Sequence, residues 1–274
     1  MSVKGIAPIK DVVAITPVWN EPLGIIQKFQ NDVAEVRRRL NERGVSFRHF
    51  FLDDGAMNLQ DESSILVRHS KNLGLATTLV DGYEAVLTKL KTKPDLVVRL
   101  DCQEHDALMI PTIVDHLDHT DVDALFIPVV YTIEHEPRRL MTRVTTMMAD
   151  LQTALSPING QKILEIYNQV FPVGYQAYRF ELLTEITQQL RTGLSVYERT
   201  YGRLPTWGFD LLSILFTAKI DTERTDLLFG GWMTPWLENR GADKVEAQRK
   251  KNAEIIKLAV QLGCVLQQPV EAQN

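Results

Sequence analysis

Three apolar runs, DVVAITPVWNEP (residues 11–22), FRHFFLDDGAMN (47–58) and DLVVRLDCQEHD (95–106), each break into acids and turn formers at their carboxyl ends. Helical periodicity separates them. Ile25, Ile26, Phe29, Val33, Val36 and Leu40 recur at three- and four-residue intervals across 24–44, where Gly44 supplies a left-handed stop. Leu75, Leu79, Tyr83, Val86, Leu87 and Leu90 repeat the pattern ahead of Pro94. The first hundred residues therefore read β-α-β-α-β. Such alternation predicts an α/β protein with a mostly parallel central sheet, flanked by helices and joined by right-handed crossovers. Ligands of open α/β sheets bind outside the carboxyl ends of the strands, so the three acidic breaks are expected to line one crevice.

Further on, the apolar spacing predicts a helix over 108–117 and a strand over 124–131. The regular alternation then stops. Residues 134–155 carry Arg138, Arg139 and Arg143 beside a stripe of Leu140, Val144, Met147, Met148, Leu151 and Leu155, a helix with one oily face. Residues 170–179 read as a turn and short strand, 209–219 as a helix and 243–266 as a polar helix. No repeat, low-complexity tract or clear linker divides the chain. It is expected to form a single domain over 1–274, with a donor-binding half at about 1–131 and an acceptor half at about 132–274.

A net charge of -5 argues against an electrostatically driven nucleic-acid binder. Only Cys102 and Cys264 are present, without metal-type spacing, so neither a disulfide framework nor a thiolate zinc site is expected. Residues 1–10 hold no signal-peptide core, and no run reaches the roughly 18 apolar residues of a membrane span. The expected compartment is the cytoplasm, with peripheral contact at the inner face of the membrane left open. No Walker loop or nucleophile elbow occurs, which removes ATPase and acyl-hydrolase readings.

Taken in order, the motifs resemble glycosyltransferase family 2, and within it the polyprenyl-phosphate sugar transferases of the dolichyl-phosphate mannose synthase type. ITPVWNEP resembles the family's P-x-Y-N-E strand end, LDDGAMN its D-D-G-S turn, KNLGLATTLVDGYEAV its G-L-G-x-A helix start and LDCQEHD its D-A-D-x-Q-H metal segment. RRLMTRVTTMM is similar to its basic acceptor helix, FPVGYQAYRFELL to S-G-F-R-A-Y-R, WGFDLLSILFTAK to G-F-E-x-E-L, and ENRGADK to R-x-x-G-x-S-K. Departures stand out too, among them a metal segment one residue shorter than the family's. Gln103 replaces the second metal-site Asp, Val173 the turn Ser and Gln176 its Arg. The resemblance implies a GT-A (nucleotide-diphospho-sugar transferase) fold and inverting transfer of a hexose from a nucleotide sugar of the GDP-mannose or UDP-glucose type. The leading acceptor is a polyprenyl phosphate or other lipid phosphate, with a small hydroxyl acceptor as the alternative.

By this resemblance Pro17, Trp19 and Glu21 contact the nucleotide, and Asp53 and Asp54 hold the base and ribose. Lys71 and Gly74 sit where a loop enters a helix, so their backbone N–H groups are candidates to face a phosphate. Arg240 and Lys244 are candidates to close over the pyrophosphate. Releasing a nucleoside diphosphate calls for charge neutralisation, which Mg2+ or Mn2+ supplies as a Lewis acid. Asp101 is the first candidate ligand. In an extended segment Gln103 and His105 project to its side, an oxygen-and-imidazole set that suits manganese, while Glu104 or Asp106 would substitute in a bent turn. The competing reading is that residues 101–106 only cap the following helix.

Arg138, Arg139 and Arg143 form a basic patch fitted to an acceptor phosphate or an anionic lipid surface, against a plain solvated helix face. Asp210 is the candidate base for a hydroxyl acceptor. A phosphate acceptor, already anionic near neutral pH, needs none, and Asp210 would then orient substrate or merely cap its helix. Two other classes compete. Gln103 in place of an Asp favours a non-catalytic nucleotide-sugar sensor or pseudoenzyme; a nucleotidyltransferase would open with a Gly-rich basic loop that residues 14–22 lack.

Overall fold

The structure is a computed structural model, which describes residues 7–55, 59, 61–102, 106–128, 130–132, 173–205, 212–213, 216–217, 225–227, 233–235, 250, 253–255 and 257–263. Strands and helices alternate through its first half. Strand β1 (Asp11–Val18) leads into helix α1 (Leu23–Glu42), then β2 (Ser46–Asp53), β3 (Ile65–Arg68), helix α2 (Leu75–Lys89) and β4 (Leu96–Arg99). Helix α3 (Ile110–His119), β5 (Ala124–Pro128), β6 (Val130–Thr132), β7 (Val173–Arg179) and helix α4 (Phe180–Tyr201) follow, with β8 (Thr225–Leu227) and β9 (Met233–Pro235) after them.

A seven-stranded sheet in the order β3-β2-β1-β4-β7-β5-β8 is the frame. Six strands run one way and β7 runs against them, antiparallel to both β4 and β5. The mostly parallel α/β sheet expected from the alternation is therefore present. Val12, Val13, Ala14 and Ile15 of β1 are completely buried, because helices cover both faces and successive residues fill opposite cores. Val13, Ile15, Leu52 and Val97 pack with α2 and α4, whereas Val12, Ala14, Phe51 and Val98 pack with α1 and α3. Gly82 lets α2 lie close to β2, since a Cβ there would come within 2.3 Å of the Leu52 side chain.

Several elements differ from the sequence expectation. The run at 124–131 divides: β5 belongs to the main sheet, while β6 pairs in parallel with β9 in a separate two-stranded sheet. Strand β3 was not expected, so the opening is β-α-β-β-α-β. Nor was α4, although Phe180, Leu183, Ile186, Leu190, Leu194 and Tyr197 form a buried stripe and Gly202 ends the helix at φ 66°. The segment at 170–179 yields more than a short strand. Its β7 is central, buried over 175–178, and carries Gln176 inside because Tyr83 and Tyr178 donate to its Oε1 at 3.3 and 2.9 Å.

Candidate functional site

Parallel register brings the strand ends together. Val18 lies opposite Asp53, Ile15 opposite Arg99, and Asp53 opposite Arg68, so β1, β2, β3 and β4 finish along one edge. Because β7 is reversed, its first residues reach that same edge, with Gln176 opposite Arg99. Pro17, Trp19, Glu21, Asp53, Asp54, Lys71, Gly74 and Asp101 all fall at or just beyond these ends. Gln103, His105, Arg138, Arg139, Arg143, Asp210, Arg240 and Lys244 lie outside the described residues.

At the end of β1, Pro17 is buried and Trp19 is 55% exposed, an unusual position for an indole. Asn20 follows at φ 61°, the one non-glycine residue with positive φ among the described residues. Asn tolerates this region better than most residues, and such conformations concentrate at functional turns. Glu21 folds back so that one carboxyl oxygen accepts the Trp19 N–H at 2.5 Å. Desolvation lifts the Glu21 carboxyl to about 7, and the negative Asp101 nearby adds to the rise.

Both acids at the end of β2 are buried and occupied. Asp53 accepts from Arg68 Nε at 2.8 Å. Asp54 accepts the N–H groups of Leu73 and Gly74 at 2.7 and 2.9 Å, and pairs with His69 Nδ1 at 2.9 Å. The Gly74 N–H that the sequence offered to a donor phosphate is thus directed at a protein carboxylate. His69 also reaches Asp81 with Nε2 at 3.0 Å, and Arg191 joins Asp81 to Glu84. Together these contacts fasten the loop ahead of α2 to the β2 end. Gly55, at φ 84°, makes the close approach feasible: a Cβ there would stand 2.8 Å from the Lys71 carbonyl carbon. Lys71 itself is exposed.

The end of β4 carries a feature to which the sequence reading gave no role. Arg99 is 1% exposed, and its Nη2 donates to both oxygens of Asp101 at 2.9 and 3.1 Å. A charged residue within the apolar run DLVVRL was the available signal, since buried charge is retained only when paired. Cys102 beside it is buried, and burial together with Glu21 and Asp101 pushes its thiol up, leaving it a poor nucleophile. At the far end of the segment Asp106 accepts the Leu108 N–H at 2.9 Å, capping a short 3-10 turn that runs into α3. That cap was the competing expectation for these acids, and it holds for Asp106.

For a divalent cation, the described residues contribute Asp101, whose charge Arg99 already balances. No group of three or more metal-capable side chains occurs among the described residues. Among the described residues, no helix is long and apolar enough to cross a membrane.

No family model matches the chain, and no curated protein matches it. Solved structures with similar shape include a protein from Desulfovibrio desulfuricans G20, provisionally described as a nucleotide-diphospho-sugar transferase, at 10% identity and TM-score 0.40; the match covers 91% of this chain and 97% of that one. A 4-diphosphocytidyl-2C-methyl-D-erythritol synthase from Anaerococcus prevotii DSM 20548 is 12% identical at TM-score 0.35, over 90% and 98% of the two chains. A hypothetical transferase from Thermus thermophilus is 11% identical at TM-score 0.35, over 81% and 93%. At these values the likenesses carry no weight for function, which has to be read from the residues.

Proposed function

We propose that this chain is a glycosyltransferase of GT-A type that moves a hexose from a nucleotide-diphosphate sugar to an acceptor, with a polyprenyl or other lipid phosphate as the leading acceptor class. The observation that carries this reading is the gathering of Trp19, Glu21, Asp53, Asp54 and Asp101 at adjacent parallel strand ends, in the order of the resembled motifs. Open α/β sheets bind their ligands at that edge. Trp19 offers a flat apolar face for a base, and Glu21 an acceptor for ring N–H or ribose hydroxyl groups.

Asp101, with Gln103 and His105, would hold Mg2+ or Mn2+, which when bound supplies charge neutralisation for the diphosphate. Arg99, donating to both oxygens of Asp101, aims that carboxylate before any ligand arrives. Arg240 and Lys244 would cover the diphosphate, Arg138, Arg139 and Arg143 would receive the acceptor phosphate, and Asp210 would take the proton of a hydroxyl acceptor. Inversion follows if the acceptor attacks the anomeric carbon in line with the departing diphosphate.

A second reading, a nucleotide-sugar sensor without turnover, gains support from the Arg99–Asp101 pair, because a carboxylate already balanced by a guanidinium binds a cation less readily.

Asp101→Asn separates the two. Alanine would strip a carboxylate from buried Arg99, whereas asparagine keeps an acceptor there. The transferase reading predicts a loss of donor turnover of about a hundredfold or more, of the size seen when electrostatic stabilisation of a leaving group is removed. Unchanged turnover in the folded variant would remove Asp101 from the mechanism.

A further inference from the structure

Tyr175 stands where the resembled turn motif has Phe, so its hydroxyl is a property of this chain. It lies in β7, opposite Ile127 of β5 and one residue before Gln176, the partner of Arg99. The side chain is completely buried, yet its oxygen is used twice. The hydroxyl donates to the Asp106 carbonyl at 2.8 Å and accepts the Asp106 backbone N–H. One phenol thus satisfies both backbone groups of a residue 69 positions away.

Asp106 is the far end of the acidic segment that starts at Asp101. Its carboxylate caps the turn at Ala107–Met109, and its carbonyl also accepts the Met109 N–H at 3.1 Å. Arg99 grips the near end. Strands β4 and β7 are paired neighbours, so the residues that hold the two ends are carried on one rigid ladder.

We propose that Tyr175 is a positioning residue for the diphosphate half of the donor site: its hydroxyl fixes Asp106 and thereby, with Arg99 on Asp101, sets where the acidic strand end stands. The inference rests on the nucleotide-sugar reading above. Burial, reinforced by the negative charges of Asp106 and Asp101, raises the phenol well above its ordinary value. Phenylalanine would fill the same volume and supply neither hydrogen bond. The Asp106 N–H would then lose its partner, and its carbonyl would keep only the Met109 N–H.

The test compares Tyr175→Phe with Tyr178→Phe. Tyr178 lies three positions further along β7, is equally buried, and donates its hydroxyl to Gln176 rather than to the acidic segment. Amide exchange over residues 106–109 should quicken by about tenfold or more in Tyr175→Phe and stay at the parental rate in Tyr178→Phe. Calorimetry with UDP and uridine, and with GDP and guanosine, supplies the functional readout. Tyr175→Phe should weaken the nucleoside diphosphate by about fivefold or more while the nucleoside binds as before; general loosening would weaken both alike.

Equal exchange in the two variants, or equal losses for nucleoside and diphosphate, would overturn the proposal. Failure of the parental protein to bind either diphosphate would defeat the donor reading on which the proposal depends. The exchange comparison would still report separately whether Tyr175 fixes Asp106.

Discussion

Glu21 is where the residue scale speaks most directly to ligand chemistry. Its carboxyl is desolvated at the strand end and lies near the charge of Asp101, so it binds a proton up to about pH 7. A carboxyl raised in the folded state above its ordinary value near 4.5 favours folding in its protonated form. That contribution is present in full below the unfolded value and is lost as pH rises through about 7. Glu21→Gln, locked in the neutral form, should therefore melt progressively higher than the parent as pH goes from 5 to 8, by about 3 °C at the upper end. Identical pH profiles for the two proteins would show that Glu21 ionises freely. The sequence named Glu21, Asp53, Asp54 and Asp101 as acids at strand ends, and the structure places them there. Most of their partners were illegible. Arg68 and His69 meet Asp53 and Asp54 through strand pairing and across a loop, and spacing along the chain says nothing about such meetings, whereas Arg99 stands two residues before Asp101 and was signalled by its charge in an apolar run.

At the scale of elements, the loop ahead of α2 is held by the turn after β2. Asp54 receives two backbone N–H groups and a histidine, and Gly55 admits the Lys71–Asn72 backbone at contact distance. Gly55→Ala should push that backbone away and strain a residue at φ 84°, costing about 2 kcal/mol of stability. Limited proteolysis should then cut first near Lys71, whereas a parental digestion pattern and melting temperature would contradict the tight approach. Helix α1 was readable because Gly44 and a clean apolar stripe bound it. Helix α4 has a comparable stripe, but Thr184, Thr187, Thr192 and an internal Gly193 dilute its helical signal. Strand β7 shows the deeper limit. Its pairing partners end at Arg99 and begin at Ala124, so its central antiparallel place depends on contacts far along the chain.

For the whole molecule, alternation along the first hundred residues dictated a parallel sheet, and the sheet order put the acidic ends side by side. Reversal of β7 adds what alternation could not foretell: it brings an amino-terminal strand end to the ligand edge, and with it Tyr175 and Gln176. The site therefore combines four strand exits with one strand entrance. Its chemistry follows from that mixture. The acids come from the exits, while the hydroxyl that braces Asp106 comes from the entrance.

The central claim, that this edge binds a nucleotide-diphosphate sugar, meets its most direct test in a calorimetric titration of the purified protein with UDP-glucose, GDP-mannose and their nucleoside diphosphates. The titrations should be run with and without Mn2+, and hydrolysis assayed for whichever sugar nucleotide binds. Binding of one sugar nucleotide that is strengthened by the metal, with slow release of its hexose to water, is the predicted result. Metal-independent binding without hydrolysis would replace the transferase by a sensor, and no binding of any of the four would contradict the nucleotide-sugar reading itself.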